Sequence, residues 1–176
     1  MDEISLIIKA KTGDKDAFCS LYSLYKDRLY RYAFYKLMNE EDAKDAVSDC
    51  VMAAFVQIGQ LKKPQAFSSW IFRILYCTCS AITKKQIETR KTEDIDELEN
   101  TLVKSFDSVN EKTELQQALA ILKENEREIV LLSVLGGFTS GEIAKIMDMT
   151  SGSVRSNLSR SLKKMKNFLE SDSYEK

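Results

Sequence analysis

A chain of 176 residues with 26 basic and 27 acidic side chains and 44% hydrophobic residues has room for one medium domain or two small ones. Its formal net charge of −1 excludes a histone-like polyanion binder, so any affinity for nucleic acid must come from charge segregated along the chain. Histidine is absent and Cys19, Cys50, Cys77 and Cys79 show no paired CxxC spacing, which removes the usual zinc sites and leaves reduced core or near-core thiols in a cytoplasmic protein.

A single proline, Pro64, and few glycines point to helices throughout. The run Ile4 to Ile8 is too short for a secretory signal and follows acidic residues; it reads as a short helix to Lys11 that ends at Gly13. No segment approaches a membrane span. From about Lys15 to Leu37, Phe18, Leu21, Tyr22, Tyr25, Leu29 and Tyr32 recur on one side of a second helix. The third is more regular. Ala43, Ala46, Val47, Cys50, Val51, Ala54, Phe55 and Ile58 keep the three-four alternation from Asp42 to Ile58, Asn39 with Asp42 suits an N-terminal cap, and Gly59 supplies a stop. Opposite that stripe Asp42, Asp45 and Asp49 form an acidic row, which the residues alone read either as a solvated face or as a surface for a basic partner. A loop over 59–66 carries Lys62, Lys63 and Pro64. Beyond it Phe67, Trp70, Ile71, Ile74, Leu75 and Thr78 make the face of a fourth helix running toward Lys84 and Lys85, with Trp70 fitting the core better than a stacking platform.

From about Glu88 to Glu114 the pattern fails, and Glu93, Asp94, Asp96, Glu97, Glu99 and Asp107 mark an acidic linker that admits helical turns. Periodicity returns at Leu115, Ala118, Leu119 and Leu122, then at Ile129, Val130 and Leu131 to Leu135, and stops at Gly136-Gly137. Thr139 and Glu142 have the spacing of a capping box for a helix starting near Ser140, with Ile143, Ala144 and Met147 on one face. Asp148 tolerates the left-handed conformation of a sharp turn, and Thr150 can cap a further helix whose stripe is Val154, Leu158, Leu162, Met165 and Leu169.

No carboxylate lies between Met149 and Leu169, while Arg155, Arg160, Lys163, Lys164 and Lys166 stand away from the stripe beside Ser151, Ser153, Ser156 and Asn157. This is a helix-turn-helix with a basic second helix, the chemistry of phosphate contact and base-edge readout. A helical hairpin with a merely solvated basic face accounts for less, because caps, turn and one-sided charge agree. There is no phosphate-cradling glycine loop and no cluster with catalytic spacing, so neither an enzyme nor a cofactor is expected.

In the second lobe Leu122, Glu126-Arg127-Glu128, Leu132, Gly137-Phe138-Thr139, Glu142-Ile143-Ala144, Ser153-Val154-Arg155-Ser156 and Leu158-Ser159-Arg160 together resemble the bacterial extracytoplasmic-function sigma factors of the sigma-70 family. In the first lobe, Asp42-Ala43-Lys44-Asp45-Ala46-Val47-Ser48-Asp49 looks like that family's polymerase-docking helix and Phe67-Ser68-Ser69-Trp70-Ile71-Phe72-Arg73-Ile74 like its promoter-opening helix. The resemblance implies an all-α protein of two small helical lobes: a region 2-like domain over 1–87, an acidic linker over 88–110, a region 4-like helix-turn-helix domain over 111–170, and a tail over 171–176.

It further implies a cofactor-free, non-enzymatic subunit that binds core RNA polymerase and promoter DNA, with an anti-sigma protein as a further partner and no direct membrane insertion. By the same resemblance Ser151, Ser153, Arg155, Ser156, Asn157, Arg160, Lys163 and Lys164 meet the upstream promoter element. Lys62, Lys63, Gln65, Arg73, Lys84 and Lys85 meet the downstream element, where the 59–66 loop captures a flipped base, and Asp42, Asp45, Ser48 and Asp49 dock on the polymerase clamp. The first lobe departs from the family pattern at Ser48, Ala53, Cys77 and Ala81. From the residues alone, a helix-turn-helix regulator that is not a sigma factor and a helical interaction protein without DNA binding stay open.

Overall fold

In the computed structural model, which describes residues 2–93 and 113–172, three successive helices start where a side chain caps them. Oδ1 of Asp2, Asp14 and Asn39 accepts the N–H of Ser5 (3.2 Å), Ala17 (2.9 Å) and Asp42 (3.0 Å), opening α1 (Glu3–Lys11), α2 (Lys15–Leu37) and α3 (Glu40–Gln57). Short 3-10 turns at Ile58–Gln60 and Pro64–Ala66 lead to α4 (Phe67–Glu93). The later residues form α5 (Glu114–Ala120), α6 (Glu124–Val134), α7 (Ser140–Met147) and α8 (Ser151–Asp172). Among the described residues there is no strand, and the fold is all-α. The chain divides into two compact units, Met1–Lys84 and Lys85–Lys176.

In the first unit, Leu21, Leu29 and Tyr32 of α2, Ala43, Ala46, Cys50 and Ala54 of α3, and Phe67, Ile71, Phe72, Leu75 and Cys79 of α4 are buried. Aromatic edges lock this core, with Tyr25 on Phe67 at 5.2 Å and Tyr32 on Phe72 at 5.8 Å between ring centres. The inward face of α4 thus carries Phe67, Ile71, Phe72, Leu75 and Cys79, while Trp70, Ile74 and Thr78 of the expected stripe are half-buried. Phe72 draws the face round because its ring meets Tyr32 on one side and the Arg28 guanidinium, 5.4 Å from its centre, on another. Trp70 leans on Phe67 with ring centres 5.8 Å apart.

One expected terminator differs from the structure. Helix α3 stops at Gln57, and Gly59 sits inside a 3-10 turn whose neighbours Ile58 and Leu61 are buried, so the pull of those side chains turns the chain. At the end of α2 the left-handed residue is Met38, with φ 52°. The thiols divide as well: Cys50 and Cys79 are buried, but Cys19 and Cys77 are exposed, outside the core or near-core position expected for all four. Burial pushes the Cys50 thiol up to about 12, and it stays protonated with its Sγ 3.6 Å from the Ile71 carbonyl. The periodic pattern breaks at Glu88, yet α4 continues to Glu93, because Lys84, Lys85, Gln86 and Glu88 are good helix formers that propagate a helix beyond its buried stripe. The rest of the expected linker, 94–110, and the tail residues 173–176 lie outside the described residues.

In the second unit, Thr113 and Gln116 form a capping box at the start of α5. Its far end is closed from another helix: Arg127 of α6 donates from Nε to the Leu119 carbonyl (3.0 Å) and from Nη2 to that of Leu122 (3.3 Å). Leu119, Leu122, Ile129, Leu132, Ile143 and Val154 form the centre, and α8 packs on α5, α6 and α7. Leu115 and Leu162, both expected in apolar stripes, are 43% exposed. On α8 the inward place falls to Ser161, which is fully buried between Val154 and Met165 and donates its hydroxyl to the Asn157 carbonyl at 2.7 Å. A side chain of that size fits where the helix presses against its neighbours.

A Cβ on Gly136 would run into the Leu132 carbonyl oxygen and the Phe138 ring, whereas one on Gly141 would meet open space. Gly136→Ala is therefore expected to cost about 1–3 kcal/mol, and Gly141→Ala to stabilise by about 0.4–1 kcal/mol, in urea denaturation of the whole chain.

The Tyr25 hydroxyl donates to Glu3 Oε1 at 2.5 Å, tying α1 to α2. Burial first, and that carboxylate second, push the hydroxyl from 10.0 up to about 12. The neutral form is favoured in the folded chain, so this contribution is complete below pH about 10 and is lost as pH rises through about 12, at up to about 1.4 kcal/mol per pH unit. Alkaline denaturation series of the wild type and Tyr25→Phe should diverge least at the top of that window.

Candidate nucleic-acid interface

The turn between α7 and α8 is set by local chemistry. The Glu142 carboxylate accepts the Thr139 N–H at 2.8 Å and its hydroxyl at 2.9 Å, while Thr139 Oγ1 accepts the Glu142 N–H at 3.4 Å, completing a capping box. Asp148 closes α7 in the left-handed region, φ 53° and ψ 48°. Thr150 Oγ1 then accepts the Ser153 N–H at 3.2 Å and α8 begins at Ser151. Val154, fully buried one turn in, fixes which side of α8 faces out.

That outward side carries Ser151, Arg155, Ser156, Arg160, Lys163 and Lys164, all exposed, while Ser153 and Asn157 are half-buried. Four side chains expected to contact DNA, those of Ser153, Asn157, Arg160 and Lys164, are already engaged. Asn157 donates from Nδ2 to the Ser153 carbonyl (3.0 Å) and Oγ (3.4 Å), and its Oδ1 accepts from Arg160 Nη2 at 3.2 Å, so both ends of its amide are held within the helix. Arg160 Nε donates to the Ser156 carbonyl at 3.3 Å. Lys164 pairs with Glu126 of α6 at 2.7 Å. This hydrogen bond first, then the Lys123 N–H, hold the Glu126 carboxyl below its ordinary value. Ser156, Arg160 and Lys163 follow one another at helical spacing and share a face.

On the first unit, Asp45, Ser48 and Asp49 are exposed on α3 and Asp42 is half-buried. The Ser48 hydroxyl donates to the Lys44 carbonyl at 2.9 Å, and Lys44 pairs with Glu40 at 2.6 Å, which lowers the Glu40 carboxyl. Met52 and Val56, 70% and 78% exposed, continue the line of Asp45 and Asp49 at helical spacing, turning an acidic row into an acidic-then-apolar one. Sequence periodicity passed over them because they lie off the buried stripe; two large apolar residues aligned with the acidic row were the available signal.

Lys62 and Lys63 are exposed between the two 3-10 turns and Gln65 is exposed within the second, while Leu61 is buried. Arg73 and Lys84 are exposed on α4, about three turns apart on one face, and Lys85, one position further on, points about 100° away. The exposed Cys77 lies between Arg73 and Lys84 on that face.

Because α8 is presented by the α7 start and its turn, Thr139→Ala is expected to destabilise the chain by about 0.5–2 kcal/mol. Denaturant melts followed by circular dichroism measure it.

Comparison with known proteins identifies both units. The family model for Sigma-70 region 2 matches residues 21–84 and that for Sigma-70, region 4 matches residues 112–165. The chain is 28% identical over 159 residues to RNA polymerase sigma factor SigV of Bacillus subtilis (strain 168), spanning 90% of this chain and 95% of that one. It is 25% identical over 167 residues to ECF RNA polymerase sigma factor SigW of the same organism, spanning 88% and 89%. In fold it is similar to the sigma factor RpoE, solved in complex with the anti-sigma factor NepR from Bartonella quintana. The TM-score is 0.65 at 20% identity, covering 87% of this chain and 96% of that one.

Proposed function

The chain belongs to the extracytoplasmic-function group of the sigma-70 family and functions as a sigma factor; from that premise we propose which of its surfaces meet polymerase and which meet DNA. Sigma factors are generally non-enzymatic initiation factors, and no catalytic role is assigned to any residue of this chain. Its place of action is the cytoplasm, where core RNA polymerase and promoter DNA are its partners. No helix among the described residues is long and apolar enough to cross a membrane.

The observation that carries the reading is the outward face of α8. It has no carboxylate from Ser151 to Leu169, shows Arg155, Ser156, Arg160 and Lys163 to solvent, and is seated by Val154. Laid in the major groove of the upstream element, Arg155 and Ser156 reach base edges or phosphates near the helix start, and Arg160 and Lys163 follow the backbone. Each phosphate neutralised adds about −0.9 to the log-log salt slope, so this grip alone is weak and salt-sensitive.

The first unit supplies the second grip and the dock. Asp45 and Asp49, with Met52 and Val56 beyond them, present acidic and apolar chemistry to a basic, part-apolar surface of core polymerase. Lys62, Lys63 and Gln65 line the α3–α4 loop toward the melted downstream strand, with Arg73 and Lys84 along α4 for its backbone. Holding a flipped base there must recover the few kcal/mol that unstacking costs. An anti-sigma protein that covers either unit would block it, as suits a chain whose fold is similar to that of a sigma factor solved with its anti-sigma partner.

Run-off transcription with purified core polymerase on native upstream regions tests the assignment. Promoter-dependent initiation is expected with the wild type. It should fall at least tenfold in an Arg155→Ala, Arg160→Ala double variant, since each lost contact is worth about 1–3 kcal/mol. An Asp45→Lys, Asp49→Lys variant should bind core polymerase more weakly, and initiation unchanged in both would sink the surface assignments.

A further inference from the structure

Lys164 lies in the basic run of α8, beside residues assigned above to the upstream element, yet its contact points inward to the protein. Its Nζ is 2.7 Å from Glu126 Oε1, and the Glu126 side chain is only 12% exposed. The other oxygen of that carboxylate accepts the Lys123 N–H at 3.0 Å, so Glu126 is held at both oxygens. It sits in the first turn of α6, where the helix dipole favours a negative charge. The neighbouring Lys163 is exposed, and among the described residues it has no ion partner.

We propose that Lys164 is a positioning residue: it fixes the middle of the recognition helix to the start of α6, and acts on DNA through the placement of Arg155 and Arg160, without meeting a phosphate itself. The proposal rests on the upstream-element reading given above. For Lys164 to turn to a phosphate, its bond to Glu126 must break, leaving a carboxylate oxygen beside an incoming anion; that like-charge approach is unfavourable. Lys163 turns to the backbone with no such loss. Adjacent lysines of one helix therefore divide into a DNA contact and a strut.

The test uses holoenzyme reconstituted from core polymerase and the full chain, with promoter affinity measured by fluorescence anisotropy across a salt series. Lys163→Ala should reduce the magnitude of the log-log slope by about 0.9. Lys164→Ala should leave the slope as in the wild type while weakening binding by up to about fivefold, as befits one partly exposed pair. Glu126→Gln should give the same loss, the Glu126→Gln, Lys164→Ala double variant no more than either, and Lys164→Arg should restore wild-type affinity. A slope reduced by about 0.9 in Lys164→Ala, or tighter binding by Glu126→Gln, would overturn the proposal.

Denaturation of the unbound chain judges the strut without DNA. The two single substitutions should be non-additive, and strictly additive losses would also overturn it. A wild-type holoenzyme without salt-sensitive promoter binding would instead overturn the upstream-element reading, whatever the denaturation cycle gave.

Discussion

A helix can show one face to DNA only if its opposite face is held, and in α8 the hold is the line Val154, Ser161 and Met165 pressed on the neighbouring helices. Everything proposed for the outward face depends on that seat. Val154 and Ser161 are both fully buried, and a rotation of one residue position, about 100°, would carry Arg155 off the outward face and bring apolar side chains out. Rotation is opposed at three points. The Thr139–Glu142 box and left-handed Asp148 fix where α8 starts, Ser161 admits only close packing, and the Glu126–Lys164 pair ties its later turns to α6.

The same logic, with different chemistry, holds in the first unit. Alanines at 43, 46 and 54 and Cys50 line the inward side of α3, so the helix lies close on its neighbours and cannot easily turn. Its outward side then offers Asp45, Asp49, Met52 and Val56 in one line. An acidic end steers a basic partner and an apolar end gains from excluding water once the partner arrives. Each unit thus solves one problem: it spends small inward residues on close packing and keeps longer side chains for the outside.

What the sequence made legible was local. The caps at Asn39, Thr139 and Thr150, the left-handed Asp148 and the limits of α2 rest on contacts three or four residues apart, which spacing alone reveals. What it hid depends on distant chain. Whether Ser161 or Leu162 faces inward is decided by how closely α8 meets its neighbours, and the inward set on α4 by Phe72 meeting Tyr32 of another helix. Arg127 closing α5 and Glu126 holding Lys164 across 38 positions leave no periodic trace. Among the candidate site residues the exposed set was readable from charge asymmetry; the engagement of Asn157 within its helix and of Lys164 with α6 was not, because a lysine or an asparagine on a polar face looks the same whether or not it has a partner.

The central claim, that the outward face of α8 is the upstream DNA grip, is tested most directly by tethering a hydroxyl-radical-generating iron chelate to a Lys163→Cys variant in which the exposed Cys19 and Cys77 are replaced by serine. Holoenzyme carrying this probe should cut promoter DNA in a narrow cluster within the upstream element. Cleavage confined to the downstream element, or none above that of the same protein without the new cysteine, would contradict it.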